Sequence, residues 1–136
     1  MREIKFRAWL KYEEKMIDVK AIDWDEEGKI FSVNYPEGKF YNGYDSDCIE
    51  LMQYTGLKDK NGVEIYEGDI VNICGFSDID VVEYDNLYVG YVLKSYAKNG
   101  EVLYVEPLSK YTSFNSPKLE VIGNIYENKE LLNENN

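Results

Sequence analysis

The chain has 136 residues, 44% of them hydrophobic and 15% aromatic, with 13 tyrosines, no histidine and a net charge of -11. That length suits one ordinary domain or two very small ones, and the apolar share supports a real core rather than a disordered tail. Without histidine there is no Ser-His-Asp or Cys-His centre and no histidine-containing zinc site, two cysteines cannot supply four thiolates, and the acidic field repels nucleic-acid phosphates and anionic membranes.

The chain opens REIKFRAWL at 2–10, where charged residues alternate with Ile4, Phe6 and Ala8. This reads as a strand with one buried side, Arg2, Lys5 and Arg7 facing out and Trp9 plugging an edge. The charges at this end do not read as a signal peptide and no apolar run approaches membrane-spanning length, so a soluble, cytoplasmic protein is expected. MIDVKAIDWD at 16–25 and KIFSVNY at 29–35 read as two strands joined by a turn near Glu27 and Gly28. PEGKFYNGYDSD, with two glycines and Pro36, reads as loop. DCIELMQ at 47–53 offers Ile49, Leu51 and Met52 as the apolar side of one or two helical turns, capped by Asp45, Ser46 or Asp47.

The most informative stretch is ELMQYTGLKDKNGVEIYEGDIVNIC at 50–74. Asn61-Gly62 is the strongest turn signal in the chain because both residues tolerate positive φ, so Leu57 faces Val63 and Ile65 across a hairpin. Gly56 permits a sharp entry, Gly68 a second turn before Ile70, Val71 and Ile73, and Tyr54 and Tyr66 fall near the two ends of one compact β element. Downstream, IDVVEYDN, LYVGYVLKS, EVLYVEPL and KLEVIGNIY are strand candidates separated by Asp85-Asn86, Asn99-Gly100 and a Ser/Asn/Pro-rich loop at 109–117. With GDIVNI they make about five strands, enough for a bent sheet or small barrel, and Gly90 and Gly123 mark places where it bends or where backbones approach. ENKELLNENN reads as a short helix capped by Asn128, or with a fraying turn begun at Glu127, with Leu131 and Leu132 over an open barrel end and a fraying terminus.

The expected fold is therefore mainly β: a small bent-sheet or SH3-like barrel at residues 49–136, ending in a short helix, with an associated N-terminal β element at residues 1–48. An element of under about 50 residues is marginal alone, so it packs on the barrel or on another subunit, and a homo-oligomer is expected. Cys48 and Cys74 read as reduced core residues.

Three strings carry a family resemblance: REIKFRAW at 2–9, LMQYTGLKDKNGVEIYEGDIV at 51–71 and EVIGNIYEN at 120–128. Their order and spacing resemble the YopX family of phage and prophage proteins over essentially the whole chain. The resemblance implies a small, predominantly β protein encoded in bacteriophage or prophage genomes, with no established enzymatic reaction. The chain departs from the family pattern at ENKELL, where ENPELL is common; Lys129 lacks the helix-starting advantage of proline.

No residue pattern points to a cofactor or metal. Asp59, Asn61, Glu64, Glu67 and Asp69 lack the remaining spacing of an EF-hand loop and read as solvated Asx-type turns. In Asp78, Asp80, Glu83 and Asp85, alternation puts the first two on one face and Glu83 on the other, which favours edge protection or solubility over acid/base chemistry. Glycines 56, 62 and 68 do not make a phosphate loop. The leading expectation is a non-catalytic phage or prophage protein-interaction or assembly module, acting on a phage or host protein in the bacterial cytoplasm. Its first anchor candidates are Tyr54, Tyr66, Tyr88 and Tyr91, with Trp9, Leu57, Ile70, Val71 and Ile122 organising the fold. The runner-up is a single-stranded nucleic-acid-binding barrel in which Tyr84, Tyr88, Tyr91, Tyr96 and Tyr104 cover the barrel and stack on bases while Lys94 and Lys98 screen the backbone. The acidic balance disfavours that partner. An acidic nucleic-acid mimic inhibiting a host protein, and a carboxylate-metal hydrolase, are the remaining alternatives.

Overall fold

The structure, a computed structural model, describes residues 2–36, 39–42, 48–74, 78–112 and 118–134. All strand pairs among them are antiparallel. The chain divides into two compact units, Met1–Gln53 and Tyr54–Asn136.

In the first unit β1 (Phe6–Leu10) and β2 (Lys15–Val19) form a hairpin, and β1 also pairs with the first half of β6 (Ile49–Lys58), from Leu10↔Ile49 to Phe6↔Gln53. Ala8 and Leu10 are buried, as strand alternation requires, but the strand starts at Phe6, so Ile4 is exposed. The expected single strand at 16–25 is broken at Lys20, whose N–H donates to the Asn34 carbonyl. The chain there exchanges one partner for another and continues as β3 (Ala21–Trp24) beside β4 (Ile30–Tyr35). Part of the segment read as loop is a strand, β5 (Lys39–Asn42), paired to β4. The segment read as helical from 47 is strand from Ile49 onward: its apolar residues fit either period, and pairing with β1 decides the matter. The cap expected at Asp45, Ser46 or Asp47 lies outside the described residues. Ala8, Leu10, Ile17, Val33, Cys48 and Ile49 form this unit's core.

In the second unit the end of β6 forms a hairpin with β7 (Glu64–Tyr66), and five further strands make one sheet in the order β11-β10-β9-β8-β12. These are β8 (Asp69–Ile73), β9 (Ile79–Asp85), β10 (Gly90–Tyr96), β11 (Val102–Pro107) and β12 (Leu119–Asn124), the five segments expected from sequence. Bulges at Ser95/Tyr96 and Val121/Gly123 raise the local twist, and the sheet curls into a half-barrel. Its middle is covered on both faces: Val71, Val82 and Leu93 are buried on one, Ile70, Val81 and Val92 on the other. The core of Ile65, Val71, Ile73, Val82, Leu93 and Leu119 is closed by Leu108, carried on a 3-10 turn at Leu108–Tyr111 that follows β11. Ile122, expected to organise the fold, is 37% exposed because it sits in the bulge of an edge strand. Cys74, expected in the core, is exposed at the end of β8, whereas Cys48 is buried; both are free thiols.

Short polar side chains fix the turns. Asp25 accepts the N–H groups of Glu27 and Lys29 at 2.9 and 2.8 Å, with Gly28 at φ +82°. Asp59 repeats this arrangement with Asn61 and Val63 at 2.8 and 2.9 Å and Gly62 at φ +82°, so glycine alone takes the positive φ expected of both residues of the Asn-Gly pair. Unlike Asp25, Asp59 is buried, and its other oxygen accepts the Val121 N–H of β12 at 2.9 Å. The expected solvated turn is thus a clamp between distant segments. Asp69, also buried, accepts the Tyr66 N–H at 2.8 Å across the Gly68 turn.

At the other end of the sheet, Asn124 Oδ1 accepts the N–H groups of Tyr126 and Glu127, while Asn128 Oδ1 reaches back to the Asn124 N–H. The Asn128 side chain therefore serves the preceding turn, in a space that Gly123 leaves open: a Cβ at 123 would come within 2.6 Å of Asn128 Oδ1. The short helix α1 (Lys129–Glu134) follows, with Leu131 and Leu132 half-buried. Gly90 has no such reason, since its nearest contact would be an ordinary 3.8 Å.

Candidate interaction surface

The tyrosines proposed as anchors fall into two groups. Tyr54 and Tyr66 are register partners across the β6–β7 hairpin with ring centroids 5.5 Å apart, and both are buried. They are core residues: their rings fill the inside of the hairpin they were expected to present at the surface. Tyr84, Tyr88 and Tyr91 lie together on the β9–β10 hairpin.

That hairpin is closed by Asn86–Val89, between the register pair Asp85↔Gly90. Asp85 Oδ1 accepts the N–H groups of Leu87 and Tyr88 at 2.8 and 3.2 Å, an Asx arrangement that pins the start of the turn. Val89 ends it at φ +51°, a left-handed conformation that is costly for a β-branched residue. The turn points its apolar residues into solvent: Leu87 is 92% exposed, Val89 76%, Tyr88 51% and, at the base, Tyr84 47%. Tyr84 is braced edge-on by its cross-strand neighbour Tyr91 at 5.6 Å, and Tyr91 packs on the core.

The opposite face of the hairpin is an ionic network. Lys94 Nζ lies 3.2 Å from Asp85 and 3.7 Å from Glu83, and the Tyr96 hydroxyl donates to Glu83. The Tyr88 N–H, with help from the Leu87 N–H and Lys94, holds the Asp85 carboxyl below its usual range, and the hydrogen bond to Asp85 raises Lys94. Burial, then Glu83, raises the Tyr96 hydroxyl. Lys94 is therefore committed to two carboxylates rather than free to screen a phosphate backbone. Lys98 is exposed in the β10–β11 turn, at the far end of β10 and roughly 20 Å of strand from Tyr91. Tyr104, on the edge strand β11, donates to Asp80 at 2.8 Å. Of the residues proposed for single-stranded nucleic acid, Tyr84, Tyr88, Tyr91 and Lys94 share the β9–β10 hairpin, with Lys94 held by Asp85 on the face opposite Tyr84 and Tyr91, while Lys98 lies beyond the far end of β10 and Tyr104 on β11.

The acidic cluster at 78–85 is likewise redistributed. Asp80 and Glu83 do take opposite faces, but β9 is the central strand of five, so neither protects an edge. Asp80 is fully buried; Oδ1 accepts the Tyr104 hydroxyl, while Oδ2 has no hydrogen-bond partner among the described residues. Burial, reinforced by Asp78 and Glu106, pushes its carboxyl up against the lowering effect of Tyr104. Among the described residues no three or more Cys, Asp or Glu side chains come together to hold a metal ion. No helix among them is long and apolar enough to cross a membrane.

Leu87 and Val89 were missed as surface residues because LYVGYVLKS reads as one strand. The signal that separates them is Asp85, whose side chain caps a turn two residues on. These features define a small, mainly β module with a bent five-stranded sheet and an apolar tip on its β9–β10 hairpin. Residues 5–133 match the family described as YopX protein, and the chain belongs to that family. It is similar to protein EF1440 from Enterococcus faecalis, whose crystal structure superposes with a TM-score of 0.70 at 27% identity, over 97% of this chain and 99% of that one. No curated protein matches the chain.

Proposed function

We propose that this chain is a non-catalytic protein-interaction or assembly module of phage or prophage origin, acting in the bacterial cytoplasm. The observation that carries the reading is the β9–β10 turn, where three consecutive apolar or aromatic residues, Leu87, Tyr88 and Val89, stand in solvent together. Apolar and aromatic residues gathered in one place, rather than scattered singly, are the usual mark of a contact surface. Membership of the YopX family supports the assignment to phage or prophage genomes.

The test is amine-reactive cross-linking of the tagged chain inside cells that naturally encode it, followed by mass spectrometry. The expected result is a reproducible cross-link to one other phage or host protein. Recovery of the chain with no adduct under conditions that cross-link a known complex in the same cells would refute the reading.

A further inference from the structure

We propose that the tip of the β9–β10 hairpin is an anchor that inserts into an apolar pocket with a basic rim on a different protein. The proposal rests on the interaction reading and names the site and the chemistry of its partner. Three observations support it.

The first is shape. A four-residue turn closed by Asp85 and projecting Leu87, Tyr88 and Val89 is convex, so its complement is concave. The turn is also held rather than loose: Asp85 accepts two of its amides, and Tyr84 is braced by Tyr91 against the core. A preformed anchor loses little freedom on docking. Val89 keeps a left-handed backbone that glycine would adopt without strain, at a position where its isopropyl group touches mainly water.

The second is area. The four exposed side chains present on the order of 500 Å² of mostly apolar surface, comparable to the largest patch on a typical monomer. Two copies meeting tip to tip would bury about twice that, the floor for a specific interface and well short of a stable homodimer. A pocket that encloses the same tip from several sides gains more contact from it.

The third is charge. At the base of the tip two carboxylates, Glu83 and Asp85, share one cation, Lys94, among the described residues, leaving one negative charge in excess, and the whole chain carries -11. A second copy would meet the tip with the same sign. A rim of Lys and Arg would meet it with the opposite one, steering the encounter and making it sensitive to salt.

The experiment replaces Tyr88 with photoreactive p-benzoylphenylalanine in the full chain, irradiates cells that naturally encode the protein, and maps the adducts. A parallel chain carries the same probe at Trp24, which is exposed in the first unit. The expected result is an adduct from position 88 to an apolar concavity flanked by Lys and Arg on another protein. That adduct should fall at least tenfold when Leu87→Asp is added, with the melting temperature unchanged, and decline as salt is raised in the purified pair. An adduct to a second copy, an adduct to an acidic or flat surface, or insensitivity to Leu87→Asp would overturn the proposal. Adducts from position 24 with none from 88 would overturn it while leaving the interaction reading standing; none from either would remove both.

Discussion

Asp59 and Asp25 close turns of the same geometry, and replacing each by alanine separates a local turn from a tertiary clamp. Asp25 is exposed and gives up two hydrogen bonds to amides within four residues. Water replaces them, so Asp25→Ala should cost about 0.5–1 kcal/mol, in the range of an exposed cap. Asp59 is 3% exposed and accepts a third N–H, from Val121, 62 residues along the chain. Hydrogen bonds to a charged acceptor contribute roughly 1.5–3 kcal/mol each, and an amide left unpaired beneath the surface carries its own penalty, so Asp59→Ala should cost about 3–5 kcal/mol. Asp59→Asn should fall between, because one orientation of the amide keeps the turn while setting an N–H against the Val121 N–H. Urea unfolding followed by circular dichroism gives the stability differences, and hydrogen exchange at the Val121 amide reports the clamp itself. An Asp59→Ala variant that loses no more stability than Asp25→Ala, with the Val121 amide still protected, would refute the reasoning.

Asp80 makes stability depend on pH in a definite direction. Its carboxyl is raised above the ordinary 3.8, so above that pH the folded chain holds a proton the unfolded chain has released; stability falls as pH rises until the folded group ionises too. Asp80→Asn should flatten that decline, which urea midpoints measured across the pH range would show; an unchanged slope would count against a buried neutral acid. Asp85 has the opposite sign, since its lowered value gives stability present above the ordinary carboxylate range and lost as pH falls. Lys94→Met should therefore weaken the fold near neutral pH and soften its acid loss in the same measurement. Gly123→Ala should cost about 1–3 kcal/mol by driving a methyl into Asn128, whereas Gly90→Ala, with nothing nearer than 3.8 Å, should be close to neutral in thermal melts.

The strands of the second unit were legible because turn chemistry punctuates them: Gly62, Gly68 and Gly100 all take the positive φ that their turns require. The first unit was harder. Lys20 and Ile49 belong to segments whose local pattern allows more than one structure, and the choice is made by partners at Asn34 and Leu10. The candidate surface was half legible. Thirteen tyrosines announced aromatic contacts without saying which faced inward, and that depended on cross-strand pairing: Tyr54 meets Tyr66 in the core, while Tyr84 meets Tyr91 at a hairpin end. Asp59, Asp69 and Asp80 were read as solvated because carboxylates usually are. The donors and hydroxyl that make their burial tolerable come from elsewhere in the fold.

The fit between Gly123 and Asn128 binds two positions into a single unit of inheritance. A lineage that acquires a side chain at 123 must first or simultaneously surrender the asparagine, since the amide occupies the volume a methyl would claim and ties the Asn124 N–H from that place. The string GNIYEN is thus one lock whose key lies five residues downstream, and a side chain at its first position fits freely only once the last has changed.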